Sequence, residues 1–276
     1  MPSDGYVRTS PERFDLRYFL RVLRVVSAAE FKVKYADSAL GYVWTIAKPL
    51  AWFAVLYIVF GRFFKLRGTF ENYTVYLLAG LVLWVFFLDG TTVALQSFAQ
   101  HGAVLRRLSV PRIVIPVSST ITTVLTLATN VAAFAIVLAV VRVEPRWSWL
   151  LIPVPLLELC LFTGIVALVL ATLFVRARDA GPLWELATQL MFFAAPIIYP
   201  TGFLPQWAQK VVFANPFVQA MQDVRWLLVP EPEVMTAADV YGSSLGHLVP
   251  LAVLAGLALL ALALYRHEAP YLAERA

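Results

Sequence analysis

Six runs of apolar residues, near 40–61, 73–95, 113–141, 148–174, 182–199 and 246–265, dominate the chain, and its charges collect at their ends. A hydrocarbon core about 30 Å thick is crossed by about 20 helical residues, so each run has the length of a span. Lipid supplies no hydrogen bonds, and a segment there must satisfy its own backbone, which runs of this length do as helices. The expected fold is therefore an all-α integral membrane bundle of about six transmembrane helices. Only 14% of the residues are charged, against roughly a quarter in a water-solvated domain. In the fifth run Pro182 suits a first helical turn, while Pro196 and Pro200 bend the end.

The net charge of +5 would suit nucleic acid, but the basic residues flank apolar runs and do not alternate with aromatics as a nucleic-acid face requires. They set an orientation instead. With both termini cytoplasmic, the inner segments hold Arg8, Arg13, Arg17, Arg21, Arg24, Lys32, Lys34, Arg106, Arg107, Arg112, Arg176, Arg178, Arg266 and Arg275. The outer segments hold fewer: Arg62, Lys65, Arg67, Arg142, Arg146, Lys210 and Arg225. The excess of Lys and Arg inside favours that topology, with the first outer loop a local exception. No apolar core typical of a cleavable signal interrupts the basic residues of 1–38, so the first span is expected to remain as a permanent helix. Cys160, the single cysteine, lies in an apolar run and reads as a small core residue.

Before the first span, Arg13, Arg17, Arg21 and Arg24 fall on one stripe at roughly 100° per residue, with Leu16, Phe19, Leu23 and Val26 on the other side. This pattern predicts a helix lying on the membrane surface, its cations toward anionic headgroups. Segment 200–245 is broken by Pro200, Pro205, Pro216, Pro230 and Pro232 and carries Lys210, Asp223 and Arg225, so it is no further span. Trp207 to Phe213 and Phe217 to Leu228 read as two short amphipathic helices, either capping the outer surface or dipping back into the protein.

Lys48, Asp89, Glu158 and Glu185 are ionisable groups inside the expected spans. Such groups pair, snorkel to an interface or line water, and ion coupling is the functional alternative. The sequence contains no phosphate-binding loop ending in Gly-Lys-Ser or Gly-Lys-Thr, and no Gly-x-Ser-x-Gly nucleophile elbow. His101, His247 and His267 are scattered, without metal-ligand spacing. The chain is thus read as a non-enzyme with no cofactor or metal of its own.

Four local patterns carry a resemblance. Lys34-Tyr35-Ala36-Asp37-Ser38-Ala39-Leu40-Gly41-Tyr42-Val43-Trp44 precedes Pro49; Gly80-Leu81 precedes Trp84, Phe86 and Phe87; Leu105-Arg106-Arg107-Leu108-Ser109-Val110-Pro111-Arg112 precedes Pro116. The last runs from Arg178-Asp179 through Phe192-Phe193, Pro196 and Tyr199-Pro200 to Asn215-Pro216-Phe217 and Arg225. In this order, from about residue 14 to 230, the chain resembles the membrane subunits of ABC-2 type exporters, in the Wzm and TarG branch that exports O-antigen, teichoic acid and other lipid-linked polysaccharides. Lys48 and Val110 depart from that pattern, where a neutral polar residue and Phe are more usual.

The resemblance implies a permease subunit in a bacterial inner membrane, working as a homodimer with two separate ATPase subunits that hold ATP and Mg. It implies a cytoplasmic N-terminus over 1–38, a transmembrane domain over 39–266 and a tail over 267–276. Segment 98–112 would be the coupling helix, with Arg106, Arg107, Ser109, Pro111 and Arg112 at the ATPase, or else an ordinary positive-inside loop. Segment 203–228 would be the periplasmic gate, with Trp207, Asn215, Pro216, Phe217 and Arg225. Tyr42, Trp44, Trp52, Tyr57, Phe192, Phe193 and Tyr199 are the candidates for lining a glycan path, since an aromatic face stacks on the C–H side of a sugar; packing or an interfacial belt is the alternative for each. Arg17, Arg21 and Arg24 would meet the lipid-linked diphosphate. Two rivals remain at this level: an ion-coupled secondary transporter and a membrane transferase on lipid-linked sugars. A neighbouring reading frame encoding a P-loop ATPase separates the exporter from both. A reporter fused after Ala276 is expected to read cytoplasmic, and a periplasmic reading would overturn the topology.

Overall fold

The computed structural model describes residues 16–36, 41–64, 66, 72–95, 97–100 and 114–268. Among them the regular structure is helical: α1 (Leu16–Ala36), α2 (Gly41–Leu56), α3 (Tyr73–Leu95), α4 (Ser97–Gln100), α5 (Val114–Val141), α6 (Pro153–Arg176), α7 (Ala180–Ala194), α8 (Gln206–Phe213), α9 (Pro216–Leu228), α10 (Ala237–Tyr241) and α11 (Leu248–Glu268). Among the described residues four stretches are long and apolar enough to cross a membrane: Tyr73–Leu95, Val117–Val141, Trp147–Arg176 and Ser244–Glu268. The first and fifth expected spans differ. α2 has 16 residues and passes into a π-helical turn, Tyr57–Phe63, while α7 has 15 residues and stops before Pro196. The coupling segment expected over 98–112 lies mostly outside the described residues.

α3 is the hub. Its apolar window is 72% buried, against 17% for the window on Ser244–Glu268, and its principal neighbours are α5 and α6, followed by α9 and α2. Leu77, Leu78, Leu81, Phe86 and Phe87 are buried among these helices. Lipid tails are as apolar as leucine, so close packing between spans depends on small residues and internal hydrogen bonds. Both occur here. A Cβ at Gly90 would stand 2.7 Å from Cγ2 of Thr163 and 3.2 Å from Cγ2 of Thr123, so α3, α5 and α6 meet there at a glycine-sized gap.

Several buried hydroxyls find partners within their own helices. Thr91 donates to Phe87 O at 2.8 Å, Thr123 to Ser119 O at 2.9 Å, Thr163 to Leu159 O at 2.8 Å and Thr172 to Leu168 O at 2.8 Å. Each bond turns a hydroxyl back onto the preceding turn, which removes the cost of a lone polar group in an apolar interior. Ser118, Thr122, Thr126 and Asn130 form a buried row on α5 at helical spacing. α1 packs against this helix: Ser27 Oγ donates to Ser118 O at 3.5 Å, and Thr122 Oγ1 donates to Ser27 O at 3.3 Å. The cationic stripe Arg17, Arg21 and Arg24 stays on the exposed side of α1, with Leu23 and Ser27 turned inward.

Replacing Gly90 by Leu is expected to lower stability by about 1–3 kcal/mol through overpacking. Gly256→Leu, where nothing lies within 4 Å, should leave it unchanged. Denaturant titration of the protein in mixed micelles compares the two, and equal midpoints would remove the gap from the account.

Candidate functional site

α7 ends at Ala194, and Pro196 and Pro200 keep the following residues out of a helix. The carbonyls there have no helical partner, and they are buried. Three side chains from elsewhere bind them. Arg225, on α9 and 2% exposed, donates Nη1 to Pro196 O at 2.7 Å and Nη2 to Ile197 O at 2.8 Å. Its Nε donates to Tyr76 O on α3 at 3.0 Å, and Nη1 also reaches Gln222 Oε1 at 3.2 Å. Tyr76 Oη donates to Pro196 O and Tyr199 O, both at 2.9 Å, and Tyr73 Oη donates to Ile198 O at 3.1 Å. The guanidinium carbon lies 3.5 Å from the Tyr76 ring centre, in cation–π contact.

Among the described residues no carboxylate pairs with Arg225. Its charge is met by carbonyl dipoles, by the negative end of α7 and by an aromatic face. The planar fork of five donors is what allows one side chain to bind three carbonyls on two elements. Gly80 completes the fit, since a Cβ there would collide with Nη2 of Arg225. Arg225 was counted among the outer flank charges in the sequence, and the structure corrects this: it is a buried internal clamp, because the broken backbone needs donors more than the side chain needs water.

The helix that carries Arg225 is fixed at both ends. Asn215 caps α9, its Oδ1 accepting from Phe217 N at 3.0 Å, with Pro216 in the first turn. At the far end Ser148 Oγ donates to Leu227 O at 2.7 Å and Trp149 Nε1 to Leu228 O at 3.2 Å. Phe217, Val218, Ala220 and Met221 are fully buried. α9 is therefore packed against the rest of the bundle. α8 is two-faced, with Trp207 and Val211 exposed and Ala208 and Phe213 buried.

The aromatic candidates divide. Phe192 is buried at the centre of a cluster, 5.7 Å from Trp52, 5.5 Å from Trp84 and 5.3 Å from Phe193 between ring centres. Phe217 joins it through Trp84 at 5.4 Å. Trp52 and Phe193 project outward, 51% and 66% exposed. Tyr57 stacks between Phe53 and Tyr73, and Tyr199 Oη donates back to Phe193 O at 2.9 Å and Ala194 O at 3.1 Å. Tyr42 and Trp44 belong to the start of α2, but their side chains lie outside the described set, as do Arg106, Arg107, Ser109, Pro111 and Arg112. Lys48 and Glu185 are exposed, Asp89 and Glu158 are half-buried, and no two of these four pair. Tyr73, Tyr76, Thr201 and Gln222 are singled out by no motif of the sequence, and Trp84 stands there only within the pattern that follows Gly80-Leu81. The available signal was a proline-broken segment whose carbonyls required donors, set against Tyr73 and Tyr76 one helical turn apart.

Arg225→Leu is expected to destabilise the protein by about 3 kcal/mol or more, since orphaned carbonyls cost about 1–3 kcal/mol each. Arg225→Lys should rescue little, as a point charge does not replace the fork, and Gly80→Ala should lower stability by displacing the guanidinium. Thermal melts in detergent provide the comparison, and an unchanged midpoint in Arg225→Leu would refute the clamp.

Comparison with known proteins meets the same boundaries. The family model described as ABC-2 type transporter matches residues 21–229, from the second turn of α1 to the residue after α9. A protein of Klebsiella pneumoniae named O-antigen export system permease protein RfbA is 29% identical over 218 residues, covering 79% of this chain and 83% of its own. A protein of the same name from Myxococcus xanthus is 25% identical over 194 residues, 70% of this chain and 74% of its own. The apolar bundle and the extent of the match lead to one conclusion: the chain is a multi-pass membrane protein and belongs to the ABC-2 type transporter family.

Proposed function

We propose that this chain is the transmembrane permease subunit of an ATP-driven exporter that moves a lipid-linked polysaccharide, or a teichoic-acid-like polymer, out of the cytoplasm. Family membership and the two relatives named as O-antigen export permeases support the reading. The geometric observation that carries it is the outward face of α7. Leu183, Leu186, Leu190 and Phe193 repeat at intervals of three and four residues and are exposed, with Trp52 of α2 close beside. In this reading that face meets a second copy, the subunit works as a homodimer as the family resemblance implies, and the outward rings of Trp52 and Phe193 border the path.

In this reading α2 with its π-helical extension and α7 serve as the first and fifth of six spans, and both termini lie in the cytoplasm of an inner membrane. α8 and α9 form the outer gate, with α9 re-entering the bundle. The sequence has no nucleotide loop, so two separate subunits bind and hydrolyse ATP with Mg. Their closure pushes on 98–112, where Arg106, Arg107, Ser109, Pro111 and Arg112 make the contact. Arg17, Arg21 and Arg24, exposed on α1, receive the diphosphate of the lipid carrier from the inner leaflet.

The test is reconstitution. Co-expressed with a P-loop ATPase encoded in a neighbouring reading frame, the chain should co-purify with it, and lipid-linked glycan should stimulate ATP hydrolysis. Double charge reversal, Arg106→Glu with Arg107→Glu, is expected to reduce that stimulation at least tenfold at normal membrane levels. Undiminished stimulation would remove the coupling role, and glycan transport in vesicles with no ATPase present would sink the reading as a whole.

A further inference from the structure

Away from the aromatic face, a cavity of about 400 Å³ lies where the starts of α6 and α11 meet α9 and α10. Its size falls within the range of about 300–1,000 Å³ common to small-molecule sites. Val154 and Pro155 of α6 give it an apolar wall, facing Asp223 and Trp226 of α9, Asp239 of α10 and His247 before α11. Trp226 is 45% exposed, so part of its ring is open to contact.

The polar groups are held in place from behind. Gln219 Nε2 lies 3.3 Å from Asp223 Oδ2 and 3.0 Å from His247 Nδ1, and His247 Nδ1 lies 3.8 Å from Asp223 Oδ2. With Nδ1 accepting from the amide, the imidazole proton sits on Nε2 and the ring is a donor there. Asp239 is fixed by a capping box, its Oδ2 accepting from Thr236 N at 2.8 Å and Thr236 Oγ1 at 2.7 Å. Among the described residues neither Asp223 Oδ1 nor Asp239 Oδ1 has a hydrogen-bond partner. Gln219 is 3% exposed, and its Oε1 is a buried acceptor without a partner beside this group, a condition that costs free energy until a donor arrives.

The chemistry selects among ligands. Two carboxylates repel phosphate and other anions. No group of three or more His, Cys, Asp or Glu is arranged to hold a metal ion among the described residues. A polar rim rejects a bare acyl tail. A neutral ring with hydroxyls on its edge and C–H groups on its face satisfies all the walls: the indole takes the apolar face, the carboxylates accept from hydroxyls, and the imidazole donates. We propose that this cavity is a saccharide subsite at the outer end of the bundle, which binds one sugar unit of the exported chain by stacking on Trp226 and by hydrogen bonds to Asp223, Asp239 and His247. The proposal rests on the export reading, which supplies both the outer location and the glycan.

Saturation-transfer NMR on the full chain, purified in a sugar-free detergent, tests it with the methyl glycosides of glucose, galactose, mannose and rhamnose. At least one should receive saturation on its ring protons. The signal should fall at least tenfold in Trp226→Ala and in Asp223→Asn, persist in part in Trp226→Phe, and stay at the wild-type level in Trp147→Ala, whose exposed indole lies outside the cavity. If Trp226→Ala does not remain monodisperse, Asp239→Asn on the exposed helix α10 carries the same expectation. Failure of all four glycosides to bind the wild type, or equal signals in the wild type and the cavity variants, overturns the subsite. Surface polysaccharide in a deletion strain is the separate arm: if it persists there, the export reading fails whatever the NMR shows, and if it is lost while the NMR is negative, only the subsite falls.

Discussion

A positive charge sits inside this protein, and among the described residues no carboxylate neutralises it. Ion pairs in low-dielectric interiors depend on good geometry to offset desolvation, and Arg225 solves the problem with dipoles. The carbonyls of Pro196 and Ile197, released where prolines halt α7, point at the guanidinium, and Tyr76 adds both its carbonyl and its ring. Each side needs the other. The broken backbone would be an unsatisfied defect without the arginine, and the arginine would be an isolated charge without the break. Three elements distant in sequence, α3, the end of α7 and α9, are thereby fixed at one point.

Around that point the bundle follows the rules of an apolar solvent. Burial against leucine gives little advantage when the surroundings are also hydrocarbon, so specificity between helices comes from shape and polar contacts. The glycine gap at Gly90 and the seryl and threonyl contact between α1 and α5 serve that end, while the threonines bonded to their own backbones keep their hydroxyls satisfied inside. α1 is consequently tied to the bundle through Ser27 while its arginines remain outside. A helix with the composition of a surface float is also a bracket on α5.

Much of this was legible in the sequence, for definite reasons. Lengths of apolar runs set by membrane thickness located α3, α5, α6 and α11 within a few residues, and proline with amphipathic spacing located α8 and α9. The π-helical turn after α2 was not legible, because a winding change of this kind leaves the apolar pattern intact. Nor was the fate of Arg225: a lone arginine in an amphipathic segment scores as a surface charge unless the missing donors of a segment many residues earlier are counted as well. The saccharide-sized cavity assembles Asp223, Asp239 and His247 from three local contexts, and spacing along a chain carries no trace of such a meeting. The aromatic residues were marked as a set, but only the structure separates Phe192, which packs, from Phe193, which faces outward.

The terminal bonds of α9 have a mechanical consequence. Asn215 secures its first amides, while Ser148 and Trp149 hold its last carbonyls, so the helix can neither fray nor lengthen without breaking a bond in the interior. Arg225, three residues before its last, adds a third hold close to the C-terminal end. Because the same side chain also binds Tyr76, α9 and the first turn of α3 share one fixed point, and displacing either helix breaks the bond that holds the other.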